Sequence, residues 1–269
     1  MKNIAKKVLV VLMAVLMIGA MAACAPAADS DSDAKTVSLG TSADYPPFEF
    51  IYLDDQGAQQ YAGIDVSLAK KLAADMDAEL NVVNMNFDSL MASLEKGDVD
   101  FVIAAVEVTE ERLKSADFSE PYYTDLPAMI LVKADKAAEF TSIESFADKN
   151  VGAQSGTTKA DIVNNDMPGA KFVGLTSVID LVNELMYDKC DAIVLDGAVA
   201  MDYAASNSEL VVADVALGEA LPFCVAVQKG DPKGLLESIN KSIADALSQG
   251  LVDQWVAEAD ELSSKALEG

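Results

Sequence analysis

Past residue 35 the chain alternates short apolar runs with apolar residues spaced for one face of a helix. Residues 37–39 predict a strand. Ile64, Leu68, Leu72 and Met76 recur at helical spacing, and residues 80–83 predict a second strand. Phe87, Leu90, Met91 and Leu94 mark one face of a short helix that Gly97 stops. Residues 101–105 then read as a buried strand. Strands alternating with amphipathic helices predict an α/β architecture.

That last unit recurs further along. Leu90, Met91 and Leu94 match Leu181, Val182 and Leu185, Asp100 matches Asp191, and Val102-Ile103 matches Ile193-Val194. A helix, a polar turn, an Asp and a buried strand therefore occur twice, which predicts two similar lobes, each with its own sheet. An apolar strand at 128–132 leaves the first lobe and the run 221–227 returns to it, before closing helices at 232–249 and 251–257. The first lobe is then expected at 36–128 plus 221–269 and the second at 133–220. Residues 129–132 and 221–225 form a two-stranded hinge suited to closure around a ligand.

The N-terminal segment is expected to be processed. Lys2, Lys6 and Lys7 precede an apolar run at 8–18 and a stretch of small residues, the parts of a secretory signal at 1–23. The run is shorter than the ~20 residues of a membrane span. Met21-Ala22-Ala23-Cys24 resembles the bacterial lipobox, in which the cysteine is acylated. More than one acyl chain on Cys24 would give stable anchoring, with residues 24–35 as a flexible tether. Cys190 and Cys224 are open to a disulfide, but two unpaired buried thiols are expected. Cys190 takes the slot of Val99 in the repeat, and Cys224 lies inside an apolar run.

Composition narrows the chemistry. A formal charge of -25 argues against nucleic-acid binding, which needs Lys and Arg to neutralise phosphate. The absence of histidine removes Ser-His-Asp and Cys-His catalysis and the usual zinc ligands, so neither a metal nor a cofactor is expected. Arg112 is the single arginine. It is the one side chain able to grip a carboxylate with a planar fork.

Ligands of open parallel sheets sit beyond the carboxyl ends of strands. Two such ends carry polar residues here: 106–112, containing Glu107 and Arg112, and Asp196-Gly197. Thr109 can cap a helix whose first turn holds Arg112, a poor place for a cation in a helix dipole, so another role is sought for it. The alternative is a surface pair with Glu111 or Asp117. Gln154-Ser155-Gly156-Thr157-Thr158 leads into a helix near Thr158 whose free N–H groups favour a carboxylate. Asp196 can bind an ammonium or cap the following helix. Together, Arg112 and a helix N-terminus for a carboxylate with Asp196 for an ammonium describe a site for a zwitterion. Tyr45 and Phe87 add flat apolar surface, Phe87 being open also to plain core packing.

Several stretches resemble the family-3 extracellular solute-binding proteins, the polar amino-acid receptors of bacterial ABC importers. They are Gly40-Thr41-Ser42-Ala43-Asp44-Tyr45-Pro46-Pro47-Phe48-Glu49, Gly63-Ile64-Asp65-Val66, Gly97-Asp98-Val99-Asp100, Thr109-Glu110-Glu111-Arg112, Gly156-Thr157-Thr158 and Asp191-Ala192-Ile193-Val194-Leu195-Asp196. The resemblance implies the two-lobed periplasmic-binding-protein-like fold, each lobe a mostly parallel sheet with flanking helices. It further implies Arg112 and the Thr158 N–H on the ligand carboxylate, Asp196 on its ammonium, and Tyr45 and Phe87 beside its side chain. Ser42, Gln154 and Lys159 fall where the family tunes selectivity. Many members carry Ser where Glu107 stands, and Glu107 and Lys159 pull selectivity in opposite directions. The expected protein is a monomeric receptor, lipid-anchored on the outer face of the cell membrane, that delivers an amino acid to a permease. An enzyme like cyclohexadienyl dehydratase, with Glu107 as its acid or base, and a sensor acting through a partner are the alternatives.

Overall fold

The apolar runs pair into two five-stranded sheets built on one plan. The structure, a computed structural model, describes residues 35–263. The first sheet has the order Glu79–Asn84, Thr36–Thr41, Phe101–Val102, Ala226–Gln228, Ala116–Phe118. The second has the order Lys171–Leu175, Asn150–Gln154, Ala192–Leu195, Met129–Lys133, Leu210–Val212. In each the first three strands are parallel and the fourth is antiparallel to both neighbours. The fourth strand is in each case the one that enters from the other lobe, so the chain reaches each sheet running against its resident strands.

The repeat seen in the sequence has a structural cause. Asp100 Oδ2 accepts the Ser38 N–H at 2.6 Å, and Asp191 Oδ2 accepts the Asn150 N–H at 2.8 Å. Each Asp thus ties a crossover to the neighbouring second strand of its sheet, satisfying a backbone donor that the ladder leaves free. The packing repeats too. A Cβ on Gly40 would lie 3.1 Å from Val99 and 3.4 Å from Leu90, and one on Gly152 would lie 2.8 Å from Leu181 and 3.4 Å from Cys190. Cys190 therefore fills the Val99 slot, and both Cys190 and Cys224 are free and buried.

Two segments join the lobes side by side. Tyr123–Thr124 pairs antiparallel with Pro222–Phe223, and a single bridge links Ala128 to Leu217. Met129–Lys133, part of which was expected to be hinge, lies within the second sheet, and Ala226–Gln228 within the first. The expected strand at 101–105 ends at Val102. Beyond it Ala105 takes a left-handed φ of 46°, because Asp65 draws its N–H at 2.7 Å. A hairpin sheet that the alternation of apolar residues did not announce, Asp44–Tyr45, Glu49–Leu53 and Gln59–Ala62, packs beside the first lobe. The closing helices run Leu236–Ser248 and Leu251–Ser263. No helix among the described residues is long and apolar enough to cross a membrane. The expected signal and acylated Cys24 lie outside the described residues.

Candidate functional site

The carboxyl ends of the central strands of both sheets meet at one narrow pocket. It is lined by Tyr45, Phe87, Glu107, Arg112, Gln154, Lys159 and Asp196, with Glu49, Ala104, Ala105 and Thr157. Its open space is about 10 Å³, near the volume of one water.

Arg112 begins the short helix Arg112–Ser115, and its N–H is taken by Thr109 Oγ1 at 3.2 Å. The guanidinium donates to the carbonyls of Glu107 at 2.7 Å and Gly156 at 3.0 Å, one from each lobe, and lies 5.3 Å above the Phe87 ring. Burial lowers its pKa, with nearby acids opposing. Neither Glu111 nor Asp117 pairs with it; Asp117 pairs with Lys229 at 2.6 Å. Among the described residues Arg112 meets no carboxylate within ion-pair distance. Phe87 serves both expected roles, since it packs on the cluster containing Leu90 and Val102 while its ring faces the guanidinium.

Thr157 caps the helix Thr158–Asp166, accepting the Ala160 N–H at 3.3 Å. This sets Lys159 on the inner face, where its ammonium lies 2.9 Å from Glu107 Oε1 and also pairs with Asp196 Oδ1. Thr158 Oγ1 donates to Glu107 Oε2, and the Tyr45 hydroxyl donates to Asp196 Oδ2 at 2.7 Å. Burial depresses the Lys159 ammonium, but Asp196 and Glu107 outweigh it and hold its pKa above the ordinary value. Tyr45 is pushed well up by burial and by Asp196. Asp196 stands at the N-cap of the helix Gly197–Ser206 yet makes no capping bond. Asp125 Oδ2 accepts the Ala198 N–H at 3.1 Å instead, which leaves Asp196 for the pocket.

Of the residues singled out in the sequence, Thr158 lines the neighbouring cavity and reaches the pocket through Glu107, and Ser42 stands apart. Its hydroxyl bonds Asp44 at 3.3 Å, and Asp44 in turn accepts the Val178 N–H at 2.9 Å from the other lobe. Gln154 lines the pocket, but its amide donates to the Thr176 carbonyl at 2.9 Å. Tyr45, expected as flat surface, is held by its hydroxyl.

One group was missed. Glu49 lines the pocket with 1% exposure, and its Oε2 has no hydrogen-bond partner among the described residues. Behind it Asp65, fully buried, accepts from the Tyr122 hydroxyl at 2.7 Å and from the Ala105 N–H. Burial pushes Asp65 up to about 6, and burial with the Asp65 charge pushes Glu49 well above the carboxylate range. Asp65 sits in the first turn of a helix, where an acid ordinarily serves the dipole in water. Glu49 lies in Pro46-Pro47-Phe48-Glu49-Phe50, between two aromatic residues, and that apolar setting was the available signal.

A second, larger cavity of about 530 Å³ opens beside the pocket. Glu107, Lys159 and Asp196 stand among its lining, together with Leu126, Ile162 and Leu217. Among the described residues no cluster of acids and thiols has the form of a metal site.

With this geometry in view, the comparisons with known proteins have a clear sense. The family model of bacterial extracellular solute-binding proteins, family 3, matches residues 37–258. The chain is 33% identical over 255 residues to the arginine-binding extracellular protein ArtP of Bacillus subtilis, covering 93% of this chain and 96% of that one. Its fold is similar to the amino-acid ABC transporter substrate-binding protein AbpA of Streptococcus pneumoniae bound to L-arginine. The TM-score is 0.81 and the identity 30%, over 86% of this chain and 97% of that one. It is also similar to the ancestral amino acid-binding protein AncCDT-1, a precursor of cyclohexadienyl dehydratase, with a TM-score of 0.74 and 33% identity over 83% and 94% of the two chains.

Proposed function

The chain belongs to the bacterial extracellular solute-binding proteins, family 3, and from that premise we propose that it is an extracytoplasmic receptor that closes on a free amino acid and delivers it to an ABC importer. The observation that carries the site assignment is the Arg112 fork. Its charge faces a pocket between the lobes and is matched there by carbonyl oxygens and a ring rather than by an acid. A ligand carboxylate supplies the missing partner as a bidentate pair, with the N–H of Thr158 beside it. Asp196 serves the ammonium, Phe87 and Tyr45 the side chain, and Gln154 and Ser42 its surroundings.

A cationic side chain is the first candidate. ArtP is named for arginine and AbpA is described with L-arginine bound. In this chain Glu49 offers a buried, unpartnered oxygen on the same pocket. Glu107 does not favour the enzyme reading, since both its oxygens are engaged, by Lys159 and Thr158.

Calorimetric titration with L-arginine and other common amino acids tests the assignment. Arg112→Lys is expected to weaken binding about a hundredfold or more, because an ammonium cannot reproduce the fork. Unchanged affinity in that variant refutes it. The monomeric state, signal cleavage and lipid anchoring belong to the same proposal. Cys24→Ser is expected to move the protein from the membrane fraction into the medium.

A further inference from the structure

In the pocket, the place suited to a ligand's ammonium is taken by a side chain of the protein itself. Four carboxylate oxygens face it, two from Glu107 and two from Asp196. Lys159 holds one of each, Thr158 holds the second of Glu107, and Tyr45 holds the second of Asp196. The Lys159 side chain is 5% exposed, and those of Glu107 and Asp196 are each 8% exposed. An arriving α-ammonium therefore finds its acceptors engaged, and taking them means drawing Lys159 off two buried acids.

Charge points the same way. Lys159 lies between two acids, while the Arg112 charge has no acid within ion-pair distance among the described residues. With Lys159 in place, the arginine fork is complemented by a carboxylate that brings no ammonium of its own. An ammonium has three N–H donors. Two of those on Lys159 are spent on Glu107 and Asp196. Its remaining neighbour is the Phe223 ring, 6.0 Å from Nζ, a weak partner that leaves a donor for a ligand oxygen.

We propose that Lys159 acts as a built-in ammonium, so that the cleft accepts 2-hydroxy and 2-oxo acids as a second ligand class beside amino acids. The oxygen on the ligand's α-carbon accepts from Lys159, and its carboxylate lies on Arg112. An amino acid uses the same carboxylate site but binds with Lys159 withdrawn towards the adjoining cavity, which that residue also lines. The inference rests on the reading of Arg112 as the carboxylate fork.

The test is calorimetry on the full mature chain with three matched pairs: L-arginine and argininic acid, L-glutamate and 2-hydroxyglutarate, L-leucine and 2-hydroxyisocaproate. For at least one pair the wild type is expected to bind the hydroxy acid within about tenfold of the amino acid, since one charge-assisted bond replaces another. In Lys159→Met the hydroxy acid is expected to lose on the order of a hundredfold, while the amino acid holds or gains. Lys159→Met leaves two acids unpaired and can fold poorly, so Lys159→Met/Glu107→Ser, which removes one acid with the cation and keeps the net charge of the cluster, is measured beside it with the same expected reversal.

A wild type that binds an amino acid while discriminating against its hydroxy partner by a thousandfold overturns the proposal and leaves the receptor reading standing. An unchanged ratio in the double variant also overturns it. If no member of any pair binds, and a thermal-shift screen of the common amino acids is silent, the receptor reading falls and takes this proposal with it.

Discussion

Two buried acid groups border the same pocket and are kept stable by different means. Glu107 and Asp196 share the Lys159 ammonium, which opposes the upward push of burial on Asp196. Glu49 and Asp65 have no cation beside them among the described residues. Asp65 is held by a phenol and a backbone N–H, and burial favours the protonated forms of both. A buried carboxylate needs a countercharge or a proton, and this pocket has one example of each. The first group joins the lobes, since Glu107 comes from the first and Lys159 and Asp196 from the second. The second group lies wholly within the first lobe and its hairpin. Charge pairing thus spans the two lobes, while burial raises the acids of the wall within the first.

The sharpest way to break the comparison is to remove the shared cation. Lys159→Ala strands two buried acids, with an expected cost of about 3–5 kcal/mol in urea unfolding. Lys159→Met/Glu107→Ser, which removes one of those acids with the cation, is expected to recover only part of that loss, because Asp196 stays without its cation. If the single variant costs no more than a surface substitution, Lys159 is not the countercharge described here.

Next in size is pH. Asp65 rises from an ordinary value of 3.8 to about 6 on folding. Its contribution is complete below pH 3.8 and is lost as pH rises through 6, because the unfolded chain gives up the proton first. The expected loss is on the order of 3 kcal/mol between those limits. Asp125, also raised to about 6 by burial, adds a loss of the same sign. Asp125→Asn keeps the acceptor for the Ala198 N–H and should flatten its share of the curve. Lys159 behaves differently. Its raised pKa keeps its contribution intact up to about 10.5 and loses it only above the folded value. Denaturation midpoints from pH 3 to 11 should therefore show the Asp65 decline in wild type and Lys159→Met/Glu107→Ser alike, and a steeper alkaline decline in the wild type, the raised phenols Tyr45 and Tyr122 adding a decline of the same sign to both.

The smallest effects come from the phenols. Tyr122→Phe removes the bond to Asp65 and is expected to cost about 2 kcal/mol while moving the Asp65 titration upward. Tyr45→Phe removes the bond to Asp196, at about 1–2 kcal/mol in thermal unfolding. Equal and negligible losses in both would show that neither phenol supports its acid.

The two groups also differ in how far they could be read in advance. Arg112 and Asp196 stand out because each is polar at the end of a buried strand, and Arg112 is the single arginine. Glu107 and Lys159 drew notice as opposing influences on selectivity. That they meet was not legible, because 52 positions separate them and only closure of one lobe on the other brings them to 2.9 Å. Asp65 gives no such signal, because a first-turn acid is ordinarily solvated. Ser42 was grouped with the pocket through its motif, whereas Asp44 holds it away.

The sequence by itself determined the local and repeated features: two α/β lobes, an Asp repeated before a buried strand in each, and the exclusion of histidine chemistry. These follow from periodicity and composition, which act over a few residues. Only the tertiary structure decided which buried acids share a cation and which are raised by burial without one. That depends on what lies within about 4 Å once water is removed, and partners such as Asp196 and Tyr45, 151 positions apart, become neighbours only through the fold.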